Sequence, residues 1–370
     1  MCENHSFILK NLRYYCVFLI VVIYGCSREN LLQDESFLIK ERQNVNERVV
    51  VDLLAPKASL NLAEEFGILD AGAIRMGDQY IYIRDRPSLN KIYVLDKDGL
   101  EHVRTISPGI GRGPGELTAI GNFSLSNDYV ILSNETHAKV QIWSKEGEFI
   151  HEFLTENYFP HRVQMWNDKS ITILSPRSMN SEYIFFNFDS LGNFQNSFGN
   201  VSDVEFNPIR FSGNILVHDD HFYFKGYSEH ILSKWDKNGN LVFSVTTVDD
   251  IPEELNYVTF SGTEQQVFQY SPNAIFSSVG ISIYHDYIVV VHRGDWNESP
   301  YRQYLDLYHK VNGHYVASLK LPYISGTVEL DDEHIYALHR INEEAHLVIY
   351  ENDLNELLDV HHATRGNFLH

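Results

Sequence analysis

Asp78-Gln79-Tyr80-Ile81-Tyr82-Ile83, followed by the tight turn Asp96-Lys97-Asp98-Gly99, decides the fold because both pieces recur. The first is an acidic turn feeding a strand. It returns as Asp128-Tyr129-Val130-Ile131-Leu132, Asp168-Lys169-Ser170-Ile171-Thr172-Ile173 and Asp220-His221-Phe222-Tyr223-Phe224. The last copies are Asp286-Tyr287-Ile288-Val289-Val290 and Glu333-His334-Ile335-Tyr336-Ala337. The second piece returns as Ser144-Lys145-Glu146-Gly147, Asp189-Ser190-Leu191-Gly192, Asp236-Lys237-Asn238-Gly239, Lys310-Val311-Asn312-Gly313 and Asn352-Asp353-Leu354-Asn355. A polar opener closed by Gly or Asn suits a type I turn ending in a left-handed residue, a common hairpin connection. Only Gly, and less comfortably Asn, takes that conformation cheaply.

Six copies spaced mostly 40–52 residues apart, without a long 3.6-residue period, indicate repeated four-stranded units. Such units are propeller blades. The sequence therefore predicts an all-β, six-bladed β-propeller of four-stranded antiparallel blades within 47–370. Blades are expected near 66–107, 117–154, 158–199, 209–247, 277–321 and 325–362. The strand Arg48-Val49-Val50-Val51-Asp52-Leu53-Leu54, near 48–54, is expected to pair with the last blade and close the ring, protecting an open edge. Residues 248–276 form an insertion before blade 5, and Asp250-Ile251-Pro252-Glu253-Glu254 reads as a helix start.

Between blades 1 and 2 lies Gly109-Ile110-Gly111-Arg112-Gly113-Pro114-Gly115-Glu116. A phosphate loop would end in Gly-Lys-Ser/Thr before a helix, whereas Leu117 to Leu125 reads as a strand. The stretch is a rigid corner whose glycines serve backbone geometry, with Glu116 accepting backbone N–H bonds. With the preceding run from Ile81, this corner resembles the six-bladed propeller family of TolB-like fold found among bacterial envelope lipoproteins, whose first blade ends in a similar Gly-x-Gly-Pro-Gly-Glu corner. The resemblance covers about 47–362 and is motif-grade only over Gly111 to Glu116. It implies fold and compartment and no fixed activity.

The N-terminus points the same way. Lys10 and Arg13 precede the apolar run Tyr14 to Tyr24, which is short for a membrane span. Ile23-Tyr24-Gly25-Cys26 resembles a lipobox, making 1–25 a lipoprotein signal peptide and Cys26 the lipidated residue that meets the bilayer. Residues 26–46 read as a tether. The expected location is the bacterial cell envelope, at the outer membrane. All three cysteines lie within the first 26 residues, so the folded body holds no disulfide. A formal net charge of −21 argues against nucleic-acid partners, which need a basic face.

Antiparallel blades place b–c loops and d–a connections on one face. That face gathers arginines in an acidic chain, which suits a carboxylate, sulfate or uronate group bound by guanidinium. Local salt bridges are the alternative reading. The candidate ligand-binding face comprises Asp85, Arg86, Arg112, Glu116, His161, Arg162, Arg177, Arg210, His230, Arg293, Trp296, His339 and Arg340. The aromatics Tyr257, Phe260, Phe268, Tyr270, Trp296 and Tyr301 of the blade 5 insertion and loop could add stacking for a sugar or peptide.

No His-Glu-x-x-His run or Gly-x-Ser-x-Gly elbow is present. The leading functional reading is a non-catalytic binding or scaffold module for a protein, peptide or glycan. The alternatives are a funnel-site lactonase, lyase or glycan hydrolase and a structural subunit that uses the blade rims. Enzymatic candidates would be Glu116, Asp85, His161, His230 and His339. No cofactor or metal site is expected, although isolated carboxylates and imidazoles in a funnel can hold a divalent cation.

Overall fold

The computed structural model describes residues 41–43, 48–52, 56–85, 90–177, 181–202, 210–248, 257–260, 267–270, 278–292, 303–323, 325–356 and 358. Six antiparallel blades follow one another along the chain, their strands lettered a to d outward from the centre. Blade 1 comprises Ala71–Met76, Tyr80–Asp85, Ile92–Asp96 and His102–Ile106. Blade 2 comprises Asn122–Leu125, Tyr129–Asn134, Lys139–Ser144 and Phe149–Leu154. Blade 3 comprises Arg162–Met165, Ile171–Leu174, Tyr183–Phe188 and Phe194–Asn200. Blade 4 comprises Gly213–His218, His221–Gly226, Ile231–Asp236 and Leu241–Thr246. Blade 5 comprises Ser278–Tyr284, Tyr287–His292, Gln303–His309 and Tyr315–Leu321. Blade 6 takes strands a to c from Ser325–Leu330, His334–Ile341 and Glu344–Glu351.

The repeated acidic turns join strands a and b, and the strands they feed are buried on both faces. Ile81, Tyr82 and Ile83 are all buried, as are Val130, Ile131 and Leu132. Each blade packs against two neighbours, so both sides of strand b face a core and the apolar run is nearly continuous. Between blades 3 and 4 the interface is aromatic: Phe185 meets Phe222 and Trp235 edge-on at ring distances of 4.8 and 6.0 Å.

The c–d turns hold a second feature. Gly147, Gly192, Gly239 and Gly313 have φ of 92, 89, 83 and 72°. A register shift follows each turn's opening strand, at Ile142/Trp143, Asn187/Phe188, Lys234/Trp235 and Leu307/Tyr308. These are the hairpins expected from the sequence. In the first copy, Leu100 takes the positive φ, at 54°, instead of Gly99. Three of the glycines also sit against the preceding blade. A Cβ on Gly192 would lie 2.4 Å from Phe153 Cβ, and one on Gly239 would lie 2.8 Å from Phe198 Cβ. On Gly313 it would lie 2.6 Å from Phe243 Cε2. The turn residue is thus also an inter-blade contact.

Ring closure differs from the sequence expectation. Val50–Asp52 does not pair with the last blade. It runs parallel to strand d of blade 5, with Val51 opposite Leu319. The closing strand is Ala58–Asn61, antiparallel to Glu344–Glu351, with Leu60 opposite Leu347. The β-branched run at 49–51 has the stronger strand propensity. The closing position, however, belongs to the last extended segment before blade 1. Residues 41–43, assigned to the tether, also join the fold: Glu41 bridges Val245 on the edge of blade 4. Gln43 donates to the carbonyls of Thr246 and Gly313 at 2.8 and 2.9 Å.

Helix α1 (Leu62–Phe66) leads from the closing strand toward blade 1. Asn61 Oδ1 caps it by accepting from Ala63 N and Glu64 N, and Gly67 at φ 71° ends it. Asn352–Asn355, read as a c–d turn, instead enters a helical turn, since blade 6 already has its outer strand. Leu354 and Leu358, one turn apart, are both buried in the blade 5–6 core. The blade 5 insertion contains a hairpin of Tyr257–Phe260 and Val267–Tyr270. The helix start read at 250–254 lies outside the described residues.

Candidate functional site

Strands a begin around a common opening, on the face that also carries the ends of strands b. A cavity of about 470 Å³ occupies it. Every blade contributes from the start of its strand a, and blades 1, 4 and 6 add residues from strand b or the loop after it. The charged lining residues are Arg75, Arg84, Arg162, Arg340 and Asp70. A chain of net charge −21 therefore presents a cationic cavity. The opposite face has the reverse character. A hollow there is lined by Asp78, Asp96, Asp98, Asp331, Asp332 and Glu333, against Lys57 and Lys97.

Arg162 opens strand a of blade 3. Its Nη1 donates to the His161 carbonyl at 2.7 Å and its Nη2 to the Tyr227 hydroxyl. The guanidinium carbon lies over that ring, 5.4 Å from the centroid. Tyr227 is itself held by Asn214 Oδ1, which accepts its hydroxyl at 3.1 Å. Among the described residues no carboxylate forms an ion pair with Arg162. Asn214 Nδ2 is buried beside it, with no hydrogen-bond partner among the described residues.

His161 sits one residue earlier. Its Nδ1 is 3.3 Å from Glu135 Oε2. Burial pushes the imidazole down to about 4, and the neighbouring Arg162 charge acts in the same direction. It is therefore neutral at pH 7, with Nδ1–H donating to Glu135. Burial alone would raise the Glu135 carboxyl. The His161 hydrogen bond and the charges of Arg177 and Arg162 outweigh this and hold it below its ordinary value.

Arg75 and Arg84 were not expected from loop positions, because they lie within strands a and b of blade 1. Arg84 Nη1 donates to the carbonyls of Ile120 and Gly121 in blade 2. Arg75 Nη1 donates to Glu329 Oε1, in strand a of blade 6, at 3.1 Å. Burial pushes the Glu329 carboxyl up to about 7 despite that arginine. The available signal was a polar residue interrupting an apolar first strand, as in Ala71-Gly72-Ala73-Ile74-Arg75-Met76.

The other candidates divide. His161, Arg162, His339 and Arg340 line the cavity. His339 is buried and its Nε2 lies 2.9 Å from the Tyr350 hydroxyl. Arg340 is exposed and pairs with Glu343 at 3.2 Å. Arg177 reaches Glu135 at 3.7 Å, and Arg210 pairs with Glu229. Asp85 is buried at the end of strand b of blade 1, and His230 precedes strand c of blade 4; neither lines the cavity. Arg86, Arg293 and Trp296 lie outside the described residues, as do the side chains of the other insertion aromatics.

The glycine corner stands apart from the cavity. Gly109–Ile110 and Glu116–Leu117 form a small parallel ladder. Glu116 Oε2 accepts from Gly113 N at 2.9 Å, and a Cβ on Gly111 would lie 2.1 Å from that oxygen. Lys139 Nζ binds the carbonyls of Arg112 and Gly113 and reaches Glu152 at 3.0 Å. The corner thereby anchors to blade 2, with the Arg112 side chain exposed. Neither Arg112 nor Glu116 lines the cavity. Among the described residues, no three His, Cys, Asp or Glu side chains group as metal ligands.

A family model described as "6-bladed beta-propeller" (DUF5128) matches residues 40–242. The chain belongs to this six-bladed β-propeller family. Two solved structures share its fold. One is a Bacteroides fragilis protein described as exported, 15% identical, with TM-score 0.52, covering 85% of this chain and 99% of its own. The other is a DUF4221 family member from Bacteroides vulgatus, 13% identical, with TM-score 0.53, covering 82% and 98%. No curated protein matches the chain.

Proposed function

We propose that this DUF5128 propeller is an exported, lipid-anchored binding module of the bacterial envelope, whose cavity receives an anionic group of a glycan or peptide. The observation that carries the reading is Arg162: a guanidinium on the cavity wall, positioned by Tyr227, with no ion-pair partner among the described residues. A carboxylate, sulfate or uronate would supply the missing charge and charge-assisted hydrogen bonds. Asn214 Nδ2 offers a neutral donor nearby. Arg177, Arg210 and Arg340 already have carboxylate partners, so local pairing accounts for those three.

Binding of sulfate and D-glucuronate, measured by calorimetry, is expected to weaken at least about tenfold in Arg162→Gln, the loss of one charge-assisted contact. Arg112→Gln is expected to leave it unchanged. Equal affinities in wild type and Arg162→Gln would remove the anchor from the account.

Export and anchoring rest on the signal-like N-terminus, the resemblance to TolB-like envelope lipoproteins and the export description of the Bacteroides fragilis relative. Cys26→Ser is expected to abolish lipid labelling and membrane retention in the native host. Full labelling of that variant would contradict the anchor.

A further inference from the structure

Arg75 and Glu329 form a charged pair at the seam of the ring. It joins strand a of blade 1 to strand a of blade 6, where the chain closes, and Arg75 also lines the cavity. Both side chains are only 16% exposed. The contact is a single one: Nη1 to Oε1 at 3.1 Å, with Nη1 also donating to the Ile74 carbonyl at 2.8 Å. Among the described residues, Arg75 Nε is buried without a partner, and Glu329 has no second hydrogen-bond donor. A carboxylate drawn partly out of water is held best when several hydrogen bonds replace its hydration. Among the described residues Glu329 has one, from Arg75.

We propose that Arg75 and Glu329 form a proton-coupled anion subsite, in which an incoming oxyanion takes over Arg75 as Glu329 takes up a proton. The inference rests on reading the cavity as an anion site. For a monoanionic ligand group the exchange conserves charge locally: one negative charge enters, one carboxylate is neutralised, and the guanidinium stays paired. The proton comes from solvent, and the Glu329 O–H is the only covalent bond formed. The ligand class is an oxyanion that stays ionised between pH 6 and pH 8, such as a carboxylate, uronate or sulfate ester.

The surroundings of Glu329 support this exchange. Strand a of blade 1 brings Arg75, and strand b of its own blade places Tyr336 directly across the ladder. Strand a of blade 5, Ser278–Tyr284, carries no charged residue, and the titratable residues of its neighbouring strand b are Tyr287 and His292. Burial is accordingly the dominant influence, and the carboxyl stands near 7, with Arg75 opposing the rise. On the cavity wall, His161 remains neutral across this range, and His339 shares a hydrogen bond with Tyr350.

Sulfate is the suitable probe because it does not itself titrate here. Its affinity for the full-length protein is expected to fall about tenfold from pH 6 to pH 8, the linkage for one required proton on a group near pH 7. Calorimetry in two buffers of different ionisation heat should show close to one proton taken up per sulfate at pH 8. Glu329→Gln, which keeps the shape and an acceptor for Arg75, is expected to bind sulfate with a flat profile at the wild-type pH 6 affinity. Sulfate binding without proton uptake in wild type would overturn the coupling while leaving the cavity reading intact. A wild-type profile surviving in Glu329→Gln would assign the proton to another group and overturn the proposal. No sulfate binding at any pH would remove the cavity reading and this inference together.

Discussion

Gly192→Ala is expected to lower the unfolding free energy by about 3 kcal/mol, the sum of a left-handed backbone strain of about 1 kcal/mol or more and an overpacking cost of about 2 kcal/mol. The residue has φ 89°, and an added Cβ would lie 2.4 Å from both Cβ and Cγ of Phe153. Phe153 is buried in the outer strand of blade 2, so its ring root cannot swing away as a flexible chain end could. Gly147→Ala is the internal control. Its φ is 92°, but its nearest neighbour is Ile106 Cγ1 at 3.6 Å. It should cost only the backbone share. Urea denaturation midpoints of the two variants measure the difference, and equal destabilisation would show that the inter-blade contact contributes nothing.

Removal of the closing strand has the larger consequence. A chain beginning at Leu62 lacks Ala58–Asn61, losing the outer ladder of blade 6 and the Asn61 cap of α1. It also uncovers Ile349 and Leu347, which are buried in the blade 6–1 core. We expect loss of the cooperative unfolding transition and aggregation through the opened edge. A chain beginning at Pro56 retains closure. It does lose Arg48, which pairs with the buried Asp306 at 3.1 Å, and an unpaired buried carboxylate costs about 3 kcal/mol or more. Combining that start with Asp306→Asn relieves the charge and is expected to restore a cooperative transition. A folded chain beginning at Leu62 would contradict closure by Ala58–Asn61.

These two experiments also mark what the sequence could reveal. The hairpin turns were legible because a left-handed backbone leaves a chemical trace, a glycine at a fixed offset. The approach of Gly192 to Phe153 left none, since it depends on how blades stack. The buried b strands were legible as apolar runs. The closing strand was not, because Ala58-Ser59-Leu60-Asn61 has weak propensity and the stronger Val49–Val51 run lies just before it. That second run became an added edge strand on blade 5.

The site was legible in the same uneven way. Antiparallel alternation placed His161, Arg162, His339 and Arg340 on one face, and they share one cavity. It equally nominated Arg112 and Glu116, which the corner holds against blade 2 through Lys139 and Gly113. Arg75 and Glu329 escaped notice because they are 254 positions apart and meet only when the ring closes. Their side chains sit on innermost strands, whereas loop positions are what antiparallel alternation assigns to a face.

The most direct test of the cavity's role is a crystal structure of the protein grown with selenate, a sulfate analogue located by its anomalous signal. Selenate is expected inside the cavity, with an oxygen within hydrogen-bonding distance of the Arg162 guanidinium. Selenate bound only elsewhere on the surface, with that guanidinium unengaged at saturating concentration, would contradict it.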